Sequence, residues 1–225
     1  MINSLTLSNF LSFQFQTEFQ FKRFNLITGL NNSGKSNLCK SIVTLILSQH
    51  SLCSHRTLSV SDFQSLLYDS NRPLNLTLKS HLSVNRFLGH SNFNQVPHQD
   101  WSDLQGLNLH FGLLQANPVS GHDIVIADKP ESGLHPFLQH SLISDLFSDP
   151  FIPGQWFIET HSQHVFNAFR ILIKRGIIQP KDFNILHLSP DPIFISLDSK
   201  GHVDEWPSFF FDQDDNDFME LASLS

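Results

Sequence analysis

Phe24-Asn25-Leu26-Ile27-Thr28-Gly29-Leu30-Asn31-Asn32-Ser33-Gly34-Lys35-Ser36-Asn37 is the stretch that decides the reading of this chain. A short apolar run leads into a glycine-bearing turn. From Asn37 to Gln49 the apolar residues Leu38, Ile42, Leu45 and Ile46 then return at helical spacing. Gly29 to Ser36 satisfies G-x-x-x-x-G-K-[S/T] at every fixed position, and it lies between an expected strand and an expected helix, the context the motif requires. A glycine turn that merely caps a helix is the bland alternative, but it does not account for Lys35-Ser36 following Gly34.

The physics of such a loop is direct. Glycines let backbone N–H groups face phosphate oxygens, and the helix N-terminus adds partial positive charge. Lys35 reaches the β/γ-phosphates and Ser36 ligates magnesium. The expected nucleotide contacts are therefore Gly29, Asn31, Asn32, Ser33, Gly34, Lys35, Ser36 and Asn37, with ATP and Mg2+ as cofactors. Base specificity is not written in this motif, because it reads phosphates.

Upstream, Leu5 to Phe24 alternates apolar and polar residues, with Phe13, Phe15, Phe19 and Phe21 set against Ser12, Gln14, Glu18 and Gln20, which predicts a hairpin turning near Thr17. Downstream, Ser51 to Pro97 is rich in Ser, Asn, His and Gln and reads as an insertion with one strand over Leu74 to Leu82. Asp123 to Ala127 and Trp156 to Ile158 are apolar runs of the buried-strand type. Helices are expected over Pro136 to Phe147 and Ser162 to Arg175, the second ending in Lys174-Arg175 before Gly176. Strands near Asn184 to Leu188 and Ile193 to Leu197 complete the sheet, and the acidic tail from Asp212 ends in a short helix or frays. The fold class is α/β: a mostly parallel sheet flanked by helices, with an N-terminal antiparallel hairpin. One domain is expected over 1–225, with 51–110 as a short insertion or lid and 200–225 as a C-terminal appendage.

Composition bounds the function. The 225 residues carry a net charge of −7, which argues against a surface built to hold nucleic acid and leaves direct DNA contact unindicated. Phenylalanine is the main core filler, with 22 copies against one tyrosine and three tryptophans. Cys39 and Cys53 lack ligand spacing for zinc or a disulfide framework. No basic leader and no run long enough to span a membrane is present, so a cytoplasmic protein is expected.

Asp128, which closes the run Ile124 to Ala127, is the expected second metal ligand beside Ser36. Hydrolysis also needs a group that orients or deprotonates water. Lys129 fills the position where a glutamate commonly stands, and Glu131 lies two residues further on; it either reaches the water or simply begins the next segment. His161, after the strand Trp156 to Ile158, is placed as a γ-phosphate sensor, so Glu131 and His161 are the catalytic candidates. His135, before Pro136, is equally well explained as a packing and capping residue.

Taken together, GLNNSGKSN (Gly29 to Asn37), ADKPESGLHP (Ala127 to Pro136) and ETHS (Glu159 to Ser162) resemble the AAA/ABC-like P-loop ATPases related to OLD, RecF and SMC heads, in the same order. Leu5 to Phe10 resembles their first strand. Asp204-Glu205-Trp206-Pro207-Ser208-Phe209-Phe210-Phe211-Asp212 resembles the WPxGFFD ending of an uncharacterised bacterial subfamily. The resemblance implies an ATPase head in a homodimer or in a hetero-assembly with an effector or nuclease, in DNA maintenance or phage defence.

The chain departs from that group in two places. Lys129 either crowds the metal or touches phosphate as a second cation. The best candidate for the ABC signature, Phe111 to Pro118, carries Leu114 in place of serine and lies only nine residues before Asp128. Two functions follow: an ATP hydrolase, or a switch that binds without hydrolysing. A P-loop kinase would offer basic lid residues, and the middle segment holds few.

Overall fold

The computed structural model describes residues 1–49, 74–80, 84–89, 109–111, 124–149, 151–189, 192–208 and 210–223. Among them, the strands form two sheets. The larger runs β10-β9-β3-β8-β7-β6, built from β3 (Phe24–Gly29), β6 (Leu109–Phe111), β7 (Ile124–Asp128), β8 (Gln155–Glu159), β9 (Phe183–Leu188) and β10 (Pro192–Ile195). Every neighbouring pair is parallel except β10 with β9. Among the described residues, four α-helices accompany the sheets: α1 (Lys35–Gln49), α2 (Pro136–Leu146), α3 (Gln163–Lys174) and α4 (Gln213–Ser223).

The parallel strands read as unbroken apolar runs because both faces are covered. Along β7, Ile124 and Ile126 enter one core while Val125 and Ala127 enter the other. Trp156 and Ile158 of β8 part from Phe157 in the same way, as do Phe183 and Ile185 of β9 from Leu186 and Leu188. One core is closed by Leu38, Cys39 and Ile42 of α1 together with the N-terminal strands; the other is closed by α2 and α3. Phe147 centres the second core, with ring centroids 5.6 Å from Phe24, 4.9 Å from Trp156 and 5.2 Å from Phe169.

The smaller, antiparallel sheet runs β2-β1-β4-β5, from β1 (Ile2–Ser8), β2 (Thr17–Gln20), β4 (Leu74–Ser80) and β5 (Val84–Gly89). The strand expected over Leu74 to Leu82 thus extends the N-terminal sheet, with β5 beside it; the remainder of 51–110, the start of β6 aside, lies outside the described residues. Gln155 fastens the two sheets together, its side-chain oxygen accepting from the Ile2 N–H and its amide donating to the Ile2 carbonyl, both at 2.7 Å.

The N-terminal hairpin differs in detail from the expected one. Thr17 opens β2 opposite Leu7, and residues 9–16 make the connection. Asn9 and Leu11 take left-handed backbone (φ 55° and 46°), which breaks the ladder that the alternation of Phe13 and Phe15 suggests. Phe13 is buried and Phe15 is exposed. At the other end of the chain, Phe210 lies in the core, and Trp206, Phe210 and Phe211 contact the Phe166 ring of α3 at 5.9, 5.1 and 5.4 Å, whereas Phe218, Met219 and Leu221 of α4 are exposed.

Candidate functional site: a glycine loop and two strand-end acids

The loop leaves the carboxyl end of β3 and enters α1. Gly29 (φ 134°) passes so close to β9 that a Cβ there would collide with the Leu188 carbonyl oxygen. At Gly34 (φ 99°) a Cβ would lie 2.6 Å from Ser12 Oγ and 3.0 Å from a Phe13 ring carbon. Gly29 is therefore demanded by packing against backbone as well as by its own backbone angle, and Gly34 by its backbone angle with side chains close by. α1 starts immediately, with the Leu38 N–H donating to the Gly34 carbonyl at 2.8 Å. Lys35 is buried, and its ammonium donates to the carbonyls of Gly29 (3.1 Å) and Leu30 (2.6 Å). Burial, opposed by Glu159 and reinforced by Lys129, holds its pKa below the ordinary lysine value.

A cavity of about 580 Å³ opens on this loop, lined by Asn31, Asn32, Gly34, Lys35, Ser36, Asn37, Lys129, Glu159 and His161. Two smaller ones flank it. One, about 280 Å³, is lined by Thr28 to Asn31, Thr160, His161, His187, Phe210 and Phe211. The other, about 350 Å³, includes Ser12, Phe13, Thr17 and Leu30 to Ser33.

Asp128 ends β7 as expected and is solvent-exposed. The acid nearest Ser36 is a different one. Glu159 ends β8, directly opposite Asp128 in register, and is 1% exposed. Its Oε1 accepts from Ser36 Oγ at 3.0 Å and lies 3.8 Å from Lys129 Nζ. Its Oε2 is buried without a hydrogen-bond partner. Burial pushes this carboxyl's pKa up; the Ser36 hydrogen bond opposes that, Asp128 adds to it, and the ammonium groups of Lys129 and Lys35 oppose it. Sequence reasoning passed over Glu159, although the signal that selects Asp128, an acid closing an apolar strand, is present there too.

Glu131 is 6% exposed; its Oε1 accepts from Thr160 Oγ1 at 2.5 Å and from the His161 N–H at 3.3 Å. It does not line the large cavity, whereas His161 does. Partial desolvation, then Lys35 and Lys129, hold the His161 pKa below its ordinary value, against a smaller opposing pull from Asp128, so the ring is neutral at pH 7. His135 caps α2, its Nδ1 accepting from the Phe137 N–H at 3.3 Å. Ser162 caps α3 through the N–H groups of His164 and Val165. Apart from Phe111 in β6, the candidate signature segment lies outside the described residues.

For magnesium, the oxygen donors of Ser36, Asp128 and Glu159 fit a hard cation that takes one or two carboxylates and keeps waters, and the unpartnered Glu159 oxygen marks where charge is wanted.

A glycine loop between strand and helix, with strand-end acids beside it on a mostly parallel sheet, defines a P-loop type of α/β domain. A family model described as "Protein of unknown function (DUF3696)" matches residues 184–221. No curated protein matches the chain. Among solved structures, the SMC head domain from Thermotoga maritima aligns over 88% of this chain and 99% of its own, with a TM-score of 0.50 and 12% identity, so the fold is that of an SMC-type head. Two structures of the recombination mediator protein RecF of the RecFOR pathway also match. RecF-ATP has 19% identity over 78% of this chain and 42% of that one, with a TM-score of 0.32. RecF-ATPrS has 17% identity over 49% and 31%, with a TM-score of 0.27.

Proposed function

We propose that this chain binds Mg-ATP and acts as the nucleotide-driven head of a larger assembly, a homodimer or a hetero-assembly with an effector or nuclease. One observation carries the reading: Lys35, held by the loop's own carbonyls, lines a cavity together with Ser36, Glu159 and His161. The loop N–H groups and Lys35 hold phosphate. Ser36 and the strand-end acids hold the metal, which screens phosphate charge and fixes the nucleotide's geometry when bound. In the hydrolytic form of the proposal, His161 faces the terminal phosphate, and Glu131 acts through it by fixing the Thr160-His161 backbone.

A second reading, a switch that binds ATP without turnover, is favoured by a specific observation. Lys129 stands directly after Asp128, and Glu131 is tied up by Thr160. Phosphate release, measured alongside nucleotide binding, separates the two. Turnover that falls in His161→Ala while binding persists is the expected result for a hydrolase. Binding without any wild-type turnover, with turnover gained in Lys129→Glu, establishes the switch. Turnover undiminished in Lys35→Ala would refute the P-loop assignment itself.

A further inference from the structure

We propose that Glu159 and Lys129 form a cation-exchange pair: the buried Glu159 carboxylate is the principal acceptor for the nucleotide's magnesium, and Lys129 occupies it until the metal displaces its ammonium toward phosphate. The proposal rests on the nucleotide-binding reading and assigns a role to the one lysine that reading treats as an anomaly.

The argument begins with burial. A carboxylate that is 1% exposed must be compensated, since an unpaired buried charge is costly. What compensates Glu159 is lopsided. The Ser36 hydroxyl at 3.0 Å and the Lys129 ammonium at 3.8 Å both address Oε1, and Oε2 has neither. Buried polar atoms are nearly always satisfied, so an orphaned carboxylate oxygen beside a metal-binding type of serine points to a missing cation. Asp128, level with Glu159 on the adjacent strand, adds negative potential from the solvent side.

Lys129 is built for the exchange. Its N–H donates to the Glu159 carbonyl at 2.9 Å, so its backbone is pinned to the residue that its ammonium approaches. Its φ of 46° is left-handed, a conformation unfavourable for a non-glycine residue, yet a lysine stands there. The side chain is 43% exposed and therefore free to swing, and it shares the cavity with Lys35. A divalent ion at Glu159 outcompetes and repels a monovalent ammonium. The released ammonium then finds phosphate in the same cavity.

The test measures affinity for a fluorescent N-methylanthraniloyl ATP in EDTA and across a magnesium titration, for wild type and for Glu159→Gln, Asp128→Asn and Lys129→Met. Thermal unfolding confirms that each variant folds. In Glu159→Gln the affinity gained from magnesium should shrink about tenfold to hundredfold, while binding in EDTA holds or improves. Asp128→Asn should lose less. Lys129→Met should reach half-effect at lower magnesium and bind more weakly in EDTA. A full magnesium gain in Glu159→Gln, an equal or larger loss in Asp128→Asn, or an unmoved midpoint in Lys129→Met overturns the proposal. If Glu159→Gln does not fold, the lysine variant decides alone. Wild type that binds nucleotide in neither buffer removes the nucleotide reading and this proposal together, whereas a gain insensitive to both residues removes only this one.

Discussion

Replacing Glu131 by alanine separates two jobs that its position allows. The carboxylate accepts from Thr160 Oγ1 at 2.5 Å and from the His161 N–H at 3.3 Å, and Thr160 is fully buried. Truncation leaves a desolvated hydroxyl and a backbone donor without an acceptor, at about 1–3 kcal/mol for each fully desolvated group. The second bond is long and His161 is partly hydrated, so the sum falls at about 2–4 kcal/mol. For a domain of this size each kcal/mol moves Tm by roughly 2–4 °C, which predicts a drop of roughly 4–16 °C. Glu131→Gln keeps an acceptor oxygen for both donors and should lose less than about 1 kcal/mol. Circular dichroism melts in nucleotide-free buffer measure both. An alanine variant that melts within about 1 °C of wild type would refute the structural role, and would leave Glu131 free to serve water directly.

Other expectations concern the aromatic core and the buried thiol. Phe147→Ala should cost about 3–5 kcal/mol in urea unfolding, because it strips a ring from contact with Phe24, Trp156 and Phe169. Phe15→Ala, at a 71% exposed position, should stay within about 0.5 kcal/mol, and equal costs at the two sites would contradict the described core. Cys39 is buried on α1, and burial first, then the nearby Glu159 and Asp128 carboxylates, push its thiol pKa well up. Peptide mass spectrometry should therefore find Cys39 unmodified after iodoacetamide treatment at pH 8 and fully modified in urea; labelling at the same rate in both conditions would refute its burial.

The parts of this fold that are legible in sequence are those that depend on local spacing. Gly29 to Ser36 can be read because a phosphate-binding loop requires residue types at fixed offsets, and the structure adds that Gly29 abuts the Leu188 backbone and that both glycines take positive φ. β7 and β8 can be read because two covered faces demand continuous apolar runs. The placement of β8 between β3 and β7 is set by long-range packing and leaves no local trace, and that placement brings Glu159 to Ser36. For the same reason Asp128 reads as the nearer acid although it faces solvent. The hairpin connection is misjudged because the alternation of Phe13 and Phe15 runs through backbone bent at Asn9 and Leu11. The contact of Trp206, Phe210 and Phe211 with the Phe166 ring likewise joins residues far apart in sequence and leaves no local trace.

The central claim is that the loop from Gly29 to Asn37 binds the phosphates of ATP through Lys35. Isothermal titration of Mg-ATP into wild type and Lys35→Ala, each verified as folded by its melting curve, tests it most directly. The account predicts binding by wild type and none detectable in Lys35→Ala. Wild-type affinity retained in the folded variant would contradict it.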